Sequence, residues 1–352
     1  MSFTEYPRPI WRVTVAGKDV TGKIAPRLMN LSLTECRSEE ADQLDITLSD
    51  HDGMLALPVR GAIIRLGLGW QARGLVDKGS FVVDEVEFSG PPDTITLRAR
   101  SADMKSALRT RTERSFHDKT IREIVETIAK AHDLQAVVGQ HFADKKIQHI
   151  DQTNESDVAF LNRIGKRHDA VATIKDGKLL FLPMDRGRTA SGKDMPTITL
   201  SRRDGDRVRF HVSERDTYTG VRAMYQDNGK SKQHSVVAGA IGNAKKLRTV
   251  FASEADALEN ARAEWQRIQR GVATFEMTLA YGRPDLSPQT KVNLPTMKAP
   301  IGGFTWLLVK LTHNLDESGL TTRFEAETAE AADVRAREES ESDDLPAEQE
   351  TE

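Results

Sequence analysis

Apolar and polar residues alternate along the first third of the chain. Trp11, Val13 and Val15 do so, then Met29, Leu31 and Leu33, then Leu44, Ile46 and Leu48. Ile64, Leu66 and Leu68 follow, then Val82, Val86 and Phe88, then Ile95, Leu97 and Ala99. A period of two sets one face of a strand on a core and the other outside. Many such strands, punctuated by Gly, Pro and Asp turns, predict an antiparallel sandwich or barrel.

The period then changes. Ile121, Ile124, Val125, Ile128 and Ala129 recur at helical spacing, and Thr120 with Glu123 forms a capping box. A second helix is expected to start near Asn154, with Asp157 three residues on, burying Val158, Leu161, Ile164 and Gly165. The stretches 170–175 and 178–182 flank Asp176-Gly177, a two-residue hairpin signal. Residues 116–185 therefore read as a small α+β unit, and 186–194 as a turn-rich linker. Strands resume at 197–200, 207–212, 221–225 and 235–237. Ser253 with Asp256 caps a helix whose apolar face is Leu258, Ala261, Trp265 and Ile268. Strands return at 272–280, 291–294, 304–312 and 320–326, and from Glu330 the chain is Ala, Glu, Asp and Ser, expected as a short helix fraying into an acidic, disordered tail.

Two stretches share one order of segments. The first runs Leu44–Leu48, a turn with Pro58, Ile63–Gly67, Phe81–Val86 and Thr94–Ala99. The second runs Phe275–Leu279, a turn with Pro284, Lys291–Leu294, Trp306–Leu311 and Thr321–Ala326. Identities are few, but the shared order predicts two related barrels in one chain. The expected fold is α+β, mainly β: two related antiparallel β-barrels with an inserted small α+β domain and a helix-containing insertion. The expected boundaries are 1–110 for the first, tube-like barrel and 111–190 for the α+β insertion domain. The second barrel takes 191–330, interrupted by an insertion with helix 253–270, and 331–352 form the tail. A barrel that pairs its edges with neighbours can close a ring, and three copies with two barrels each fill six positions.

Composition narrows the function. The 352 residues carry 50 Lys+Arg against 53 Asp+Glu, so no net basic field points to nucleic acid or an acidic membrane. The single cysteine, Cys36, excludes an internal disulfide framework and reads as a small strand residue. No signal peptide is expected in MSFTEYPRPIW, and no run approaches the ~18 apolar residues of a membrane span.

Candidate chemistry is weak. Gly187-Arg-Thr-Ala-Ser-Gly192-Lys193-Asp194 resembles a phosphate-binding loop, but Asp194 stands where Ser or Thr would hold Mg²⁺, and Pro196 and a strand follow where a helix should. His132, His141, His149 and His168 share the middle unit without metal-ligand spacing. Asp50-His51-Asp52-Gly53 reads as a turn rather than a cation loop. No nucleophile elbow occurs, and carboxylate pairs cannot be chosen without geometry. Trp11, Trp70, Trp265 and Trp306 are assigned to cores. The basic run Lys105–Arg114 reads as a solvated connector, with a subunit or tube contact as the alternative. No catalytic residue, cofactor or metal is expected.

The segment order resembles the phage late control protein D family of contractile-tail hubs, and the hub part of type VI secretion spike proteins. The resemblance rests on Gly79-Ser-Phe-Val-Val-Asp-Glu-Val86 with Gly90-Pro91-Pro92 and Ser101-Ala-Asp103. It rests further on His149 through Asp157 leading into Phe160-Leu161-Asn-Arg163, on Gly282-Arg-Pro-Asp-Leu286, and on Trp306 through His313-Asn-Leu315. It spans residues 6–328. It implies a baseplate hub of a contractile tail: a homotrimeric, pseudo-sixfold ring joining the hexameric tail tube protein to the trimeric tail spike protein, beside other baseplate components. It also implies assembly in the bacterial host cytoplasm, no membrane, and DNA only as cargo through the central channel. With no needle extension, the spike is expected as a separate polypeptide. The alternatives are the hub of a tail-derived bacteriocin or a type VI-like spike, and a tail-associated lytic enzyme. Gln152, Asn154, Glu155 and Asp157 are the candidate subunit-interface residues. Their other reading is local, a helix cap formed by Asn154, Ser156 and Asp157.

Overall fold

The computed structural model describes residues 7–37, 41–101, 108, 110–175, 177–184, 197–212, 218–227 and 232–329. The resemblance to a phosphate-binding loop and the acidic tail lie outside them.

The first unit comprises β1 (Pro9–Val15), β2 (Lys18–Asp19), a helical turn α1 (Thr21–Ile24), β3 (Leu28–Cys36), β4 (Gln43–Ser49), β5 (Ile63–Trp70), β6 (Gly74–Ser89) and β7 (Thr94–Ser101). The alternation read from the sequence holds for most strands: Leu31, Leu33, Leu44, Ile46, Ile64, Leu66, Leu68 and Ala99 are all buried in one core. On β6 it needs correction, since the buried residues are Phe81 and Val83 rather than Val82, the slip between Val83 and Glu85 shifts the row, and Met29 and Phe88 are exposed.

The middle unit comprises β8 (Arg111–Thr120), α2 (Ile121–Ala131), β9 (Gln135–Val138), α3 (Gln140–Ala143), β10 (Lys146–Ser156), α4 (Asp157–His168), β11 (Ala170–Lys175) and β12 (Lys178–Pro183). The capping box at α2 is present, and its predicted apolar residues are the buried ones. Gly177 turns the β11–β12 hairpin with φ +70°, a conformation that costs a residue without Cβ least. Two readings need correction. The second helix begins at Asp157, and Ser156, not Asn154, caps it through its side chain. Asn154 instead occupies a left-handed position (φ +48°) where β10 slips register against β8 between Gln152 and Glu155. Of the basic run, residues 105–107 and 109 lie outside the described residues, and from Arg111 it is strand β8 rather than a connector.

The third region comprises β13 (Ile198–Thr199), β14 (Gly205–Val212), β15 (Gly220–Asp227), β16 (Lys232–Gly239), β17 (Ala244–Phe251), α5 (Glu254–Gly271), β18 (Ala273–Leu279), β19 (Lys291–Asn293), β20 (Thr305–Asp316) and β21 (Gly319–Thr328). Ser253 caps α5 as expected. β15–β17 and α5 form a subunit with its own small core, inserted between β14 and β18.

One continuous sheet runs β14-β18-β21-β20-β3-β4-β7-β6-β5-β1-β2, with β19 also on β20 and β13 on β19. Its two halves repeat: β3-β4-β7-β6-β5 has the same order as β14-β18-β21-β20-β19. The repeat extends to register. Leu44 faces Ala99 and Ile46 faces Leu97, while Phe275 faces Ala326 and Met277 faces Phe324. Ile64 faces Phe81, and Val292 faces Trp306. Irregularities also coincide. β6 slips against β7 between Val83 and Glu85, and β20 against β21 between Leu308 and Lys310, each opposite an alanine, Ala99 or Ala326. β3 slips against β4 between Leu28 and Asn30, and β14 against β18 between Gly205 and Arg207. A one-residue slip would turn every side chain to the wrong face, so matched register with matched bulges marks the halves as copies of one pattern. The outer strands differ: β1 pairs antiparallel with β5, whereas β13 pairs parallel with β19.

Candidate functional site

Because the fold is an assembly of four packed parts, the contacts that join them come first. β20 carries the seam between the two sheet halves. Its first residues, Thr305–Leu307, pair with β19, and after the bulge Lys310–Asp316 pair with β3 of the first unit. A buried polar chain crosses this seam. The Arg283 backbone N–H donates to Thr322 Oγ1 (2.8 Å), the Thr322 hydroxyl lies 2.8 Å from His313 Nδ1, and His313 Nε2 lies 3.0 Å from Glu35 Oε2. Lys78 Nζ donates to the same Glu35 oxygen at 2.6 Å. A neutral imidazole fits, accepting at Nδ1 and donating from Nε2. Burial works against the Glu35 charge, yet His313 and Lys78 bring its pKa down to about 2. Burial likewise holds His313 below its ordinary value.

Trp70 adds a second clasp. Its indole N–H donates to the Gly282 carbonyl at 2.7 Å, and its ring stacks on Tyr281 with centroids 3.8 Å apart. Gly282 lies so close to Leu320 that a Cβ would come within 2.8 Å of that residue's carbonyl oxygen, which explains a glycine at the head of this turn. A third knot joins all four parts. Arg270 of α5 pairs with Asp169 at the end of α4 and lies 3.3 Å from Glu327 of β21, which Arg37 after β3 also engages at 2.5 Å.

The four predicted interface residues are adjacent but unlike. Gln152 and Asp157 are 1 % and 2 % exposed. The Gln152 amide donates to Thr112 Oγ1, the Glu155 carbonyl and Asp157 Oδ1, while Arg114 and His132 engage the Asp157 carboxylate. Burial opposes ionisation of Asp157, but hydrogen bonds from His132, Gln152 and Arg114 hold its carboxyl below the usual range. Asn154 is exposed on the bulge. Glu155 is gripped by Arg163 and lines a cleft of about 670 Å³ between α4 and the β17–α5 insertion, with Arg167, Arg248 and Arg267 on its walls. Helix-capping statistics could not reveal the roles of Arg114 and His132, because both are distant in sequence from the carboxylate they hold.

The histidines disperse: His132 serves Asp157, His168 binds Glu259, and His149 stacks on His117. Among the described residues no group of three His, Cys, Asp or Glu side chains is placed to hold a metal ion. Asp50–Gly53 is a turn in which Arg27 holds Asp52.

A family model described as phage tail baseplate hub (GPD) matches residues 41–319. A relative from Escherichia phage 186, described as a probable baseplate hub protein, is 41 % identical over 91 % of this chain and 92 % of its own length. Its counterpart from Escherichia phage P2 is 40 % identical over 91 % and 93 %. Among solved structures, the 43 kDa tail protein of prophage MuSo2 from Shewanella oneidensis shares the fold with a TM-score of 0.67, covering 92 % of this chain and all of that one at 16 % identity. An E. coli component of the type VI secretion system shares it at 0.53, with 15 % identity over 86 % of this chain and 73 % of that one. The family match over most of the length, the two relatives and the shared fold agree: the chain belongs to the phage tail baseplate hub family.

Proposed function

We propose that this baseplate hub protein acts by geometry, as one third of a ring. Three copies, each contributing the β3–β7 half and the β14–β21 half, fill six wall positions around a channel. A ring of this kind stacks on a sixfold tail tube protein and presents threefold symmetry to a trimeric tail spike protein. The observation that carries the reading is the register-for-register repetition of the two sheet halves, already joined edge to edge inside one chain. Heterologous contacts of this sort either close or run on as filaments.

The rest of the proposal builds on membership of the family. The protein sits in the virion tail baseplate, is assembled in the bacterial host cytoplasm with other baseplate components, catalyses no reaction, and meets DNA only as cargo in the channel. Residues 1–110 and 191–330 are the two barrels, and 111–190 are the inserted domain. Exposed Asn154 and the half-buried Glu155 are assigned to a contact with a neighbouring subunit, supported from beneath by Gln152 and Asp157. Native mass measurement and electron microscopy of the purified protein, alone and with tube protein, test the ring. Trimers or rings of that stoichiometry are expected, and a strictly monomeric protein that never associates with tube protein would overturn it.

A further inference from the structure

The internal seam is a template for the contact between copies, on the reading that the protein forms a ring. In the second half, β20 beyond its bulge is covered by β3. The matching segment of the first half is Glu85–Ser89 of β6, beyond the matching bulge. On one side it pairs with β7, but β5 reaches only to Val82, so among the described residues its other edge is open. At the far end of the sheet lies β14, which among the described residues pairs only with β18, leaving a second open edge, and is the counterpart of β3.

The exposed side chains agree with this pairing. After the bulge the inward row of β6 continues through Val86 to Phe88, yet Phe88 is 55 % exposed. Its counterpart on β20 is His313, which faces Leu33 of β3 and is 0 % exposed. Phe88 is thus the one inward position of the row left without its cover. Leu33 corresponds to Phe210, which faces Phe275 as Leu33 faces Leu44. The outward rows differ in charge sign, with Asp84, Glu85 and Glu87 on one edge and Arg207, Arg209 and His211 on the other, all exposed. Within the chain Arg98 already pairs with Glu85 and Glu87, Arg100 with Asp84 and Glu276 with Arg209, so the charges favour the pairing without depending on it. An open edge carrying a large apolar side chain is a template for another strand.

We infer that β6 residues Glu85–Ser89 of one copy pair antiparallel with β14 of the next, in the register of the β20–β3 seam. Lys310 faces Cys36, Thr312 faces Thr34 and His313 faces Leu33 within the chain. Between copies, Val86 then faces Val212, Glu87 faces His211, Phe88 faces Phe210 and Ser89 faces Arg209.

The test uses the full chain with Cys36→Ser and the pair Glu87→Cys and His211→Cys, bridged by a short bismaleimide that alkylates one thiol at each end. Residues directly opposite lie ~5 Å apart at Cβ. Covalent trimers on a denaturing gel are expected. The pair Glu87→Cys and Arg207→Cys, offset by four residues or about 13 Å, should give none. Phe88→Asp should weaken association by about tenfold or more while leaving the melting temperature of the dissociated chain unchanged. Trimers by native mass that bridge only in the offset pair, or in neither, would overturn this register and leave the ring reading standing. Absence of any oligomer in the unsubstituted chain would overturn both.

Discussion

The two sheet halves share a frame and differ in what fills it. In the second half Trp306 meets Phe210, Phe275 and Phe304 with centroids 5.2–6.1 Å apart, and Phe275 meets Phe324. The matching positions in the first half are Phe81 for Trp306, Leu44 for Phe275 and Leu97 for Phe324. The first half has aliphatic residues at two of those three places, and it also holds an apolar cavity of about 370 Å³, lined by Ile46, Leu48, Ile64, Val83, Ile95 and Leu97 among others. The loop over it exposes Met54, Leu57 and Val59. Backbone register and bulge position persist because a slip is penalised along a whole strand, whereas side-chain filling changes one residue at a time. The two open edges differ accordingly: β6 in the first half leaves Phe88 exposed, whereas β14 in the second keeps Phe210 half-buried opposite Phe275 and against Trp306.

The largest expected effect breaks the filled half. Trp306→Ala should cost about 4 kcal/mol in denaturant unfolding, since a fully buried indole leaves a cavity among three other rings. The matching Phe81→Ala should cost about 1 kcal/mol less, because Phe81 packs against aliphatic residues of the first core, without a ring contact among the described residues. Equal losses would remove the distinction between the halves.

Next comes the seam between them. Lys78→Met leaves Glu35 buried without its cation and should cost about 3 kcal/mol. The same network sets a pH dependence. Glu35, with its pKa of about 2 against an ordinary 4.5, contributes stability that is full above about pH 5 and is lost as pH falls toward 2. His313, held below 6.5, acts in the same direction, since protonating it favours the unfolded chain. The melting temperature should therefore fall on acidification from pH 7 to pH 3, and Glu35→Gln should flatten the part of the curve below pH 5. An unchanged curve in that variant would show the seam is not what titrates.

Much of this frame was legible in the sequence, and for a physical reason. Strands such as Leu44–Leu48 and Thr94–Ala99 bury one face, so their alternation is written in residue type, and the repeat could be aligned at the residues whose register later coincided. β8 and β10 form a two-stranded ribbon with mostly exposed side chains, so no alternation announced them. β17 fully buries none of its residues and is equally silent. The seam chain was unreadable because Glu35 and His313 lie 278 residues apart, and nothing local distinguishes a buried glutamate from a solvated one. In the Gln152–Asp157 stretch Asn, Ser and Asp are all competent caps, so residue type alone cannot separate Asn154 from Ser156, the residue that caps α4.

Exchanging residues between the halves sharpens the comparison further. Leu97→Phe installs the ring that Phe324 supplies in the other half and points it at an existing cavity, so stability should rise or stay within about 1 kcal/mol. The reverse, Phe324→Leu, opens space beside Phe275 and should cost about 1–2 kcal/mol. Equal and opposite changes of large size would mean the cavity is strained rather than empty.

The smallest expected effect tests whether the bulges are interchangeable. Asp84 sits at the slip of β6 where Val309 sits at the slip of β20. Asp84→Val removes a pair with Arg100 at 3.1 Å whose side chains are 55 % and 42 % exposed, an interaction screened by water and worth little. It gains a β-branched residue suited to an extended backbone. The two should nearly cancel, leaving unfolding free energy within about 0.5 kcal/mol of the unsubstituted chain. A loss several times larger would mean that the slip in β6 depends on its own side chain, and that the likeness of the two bulges is one of position without interchangeable structure.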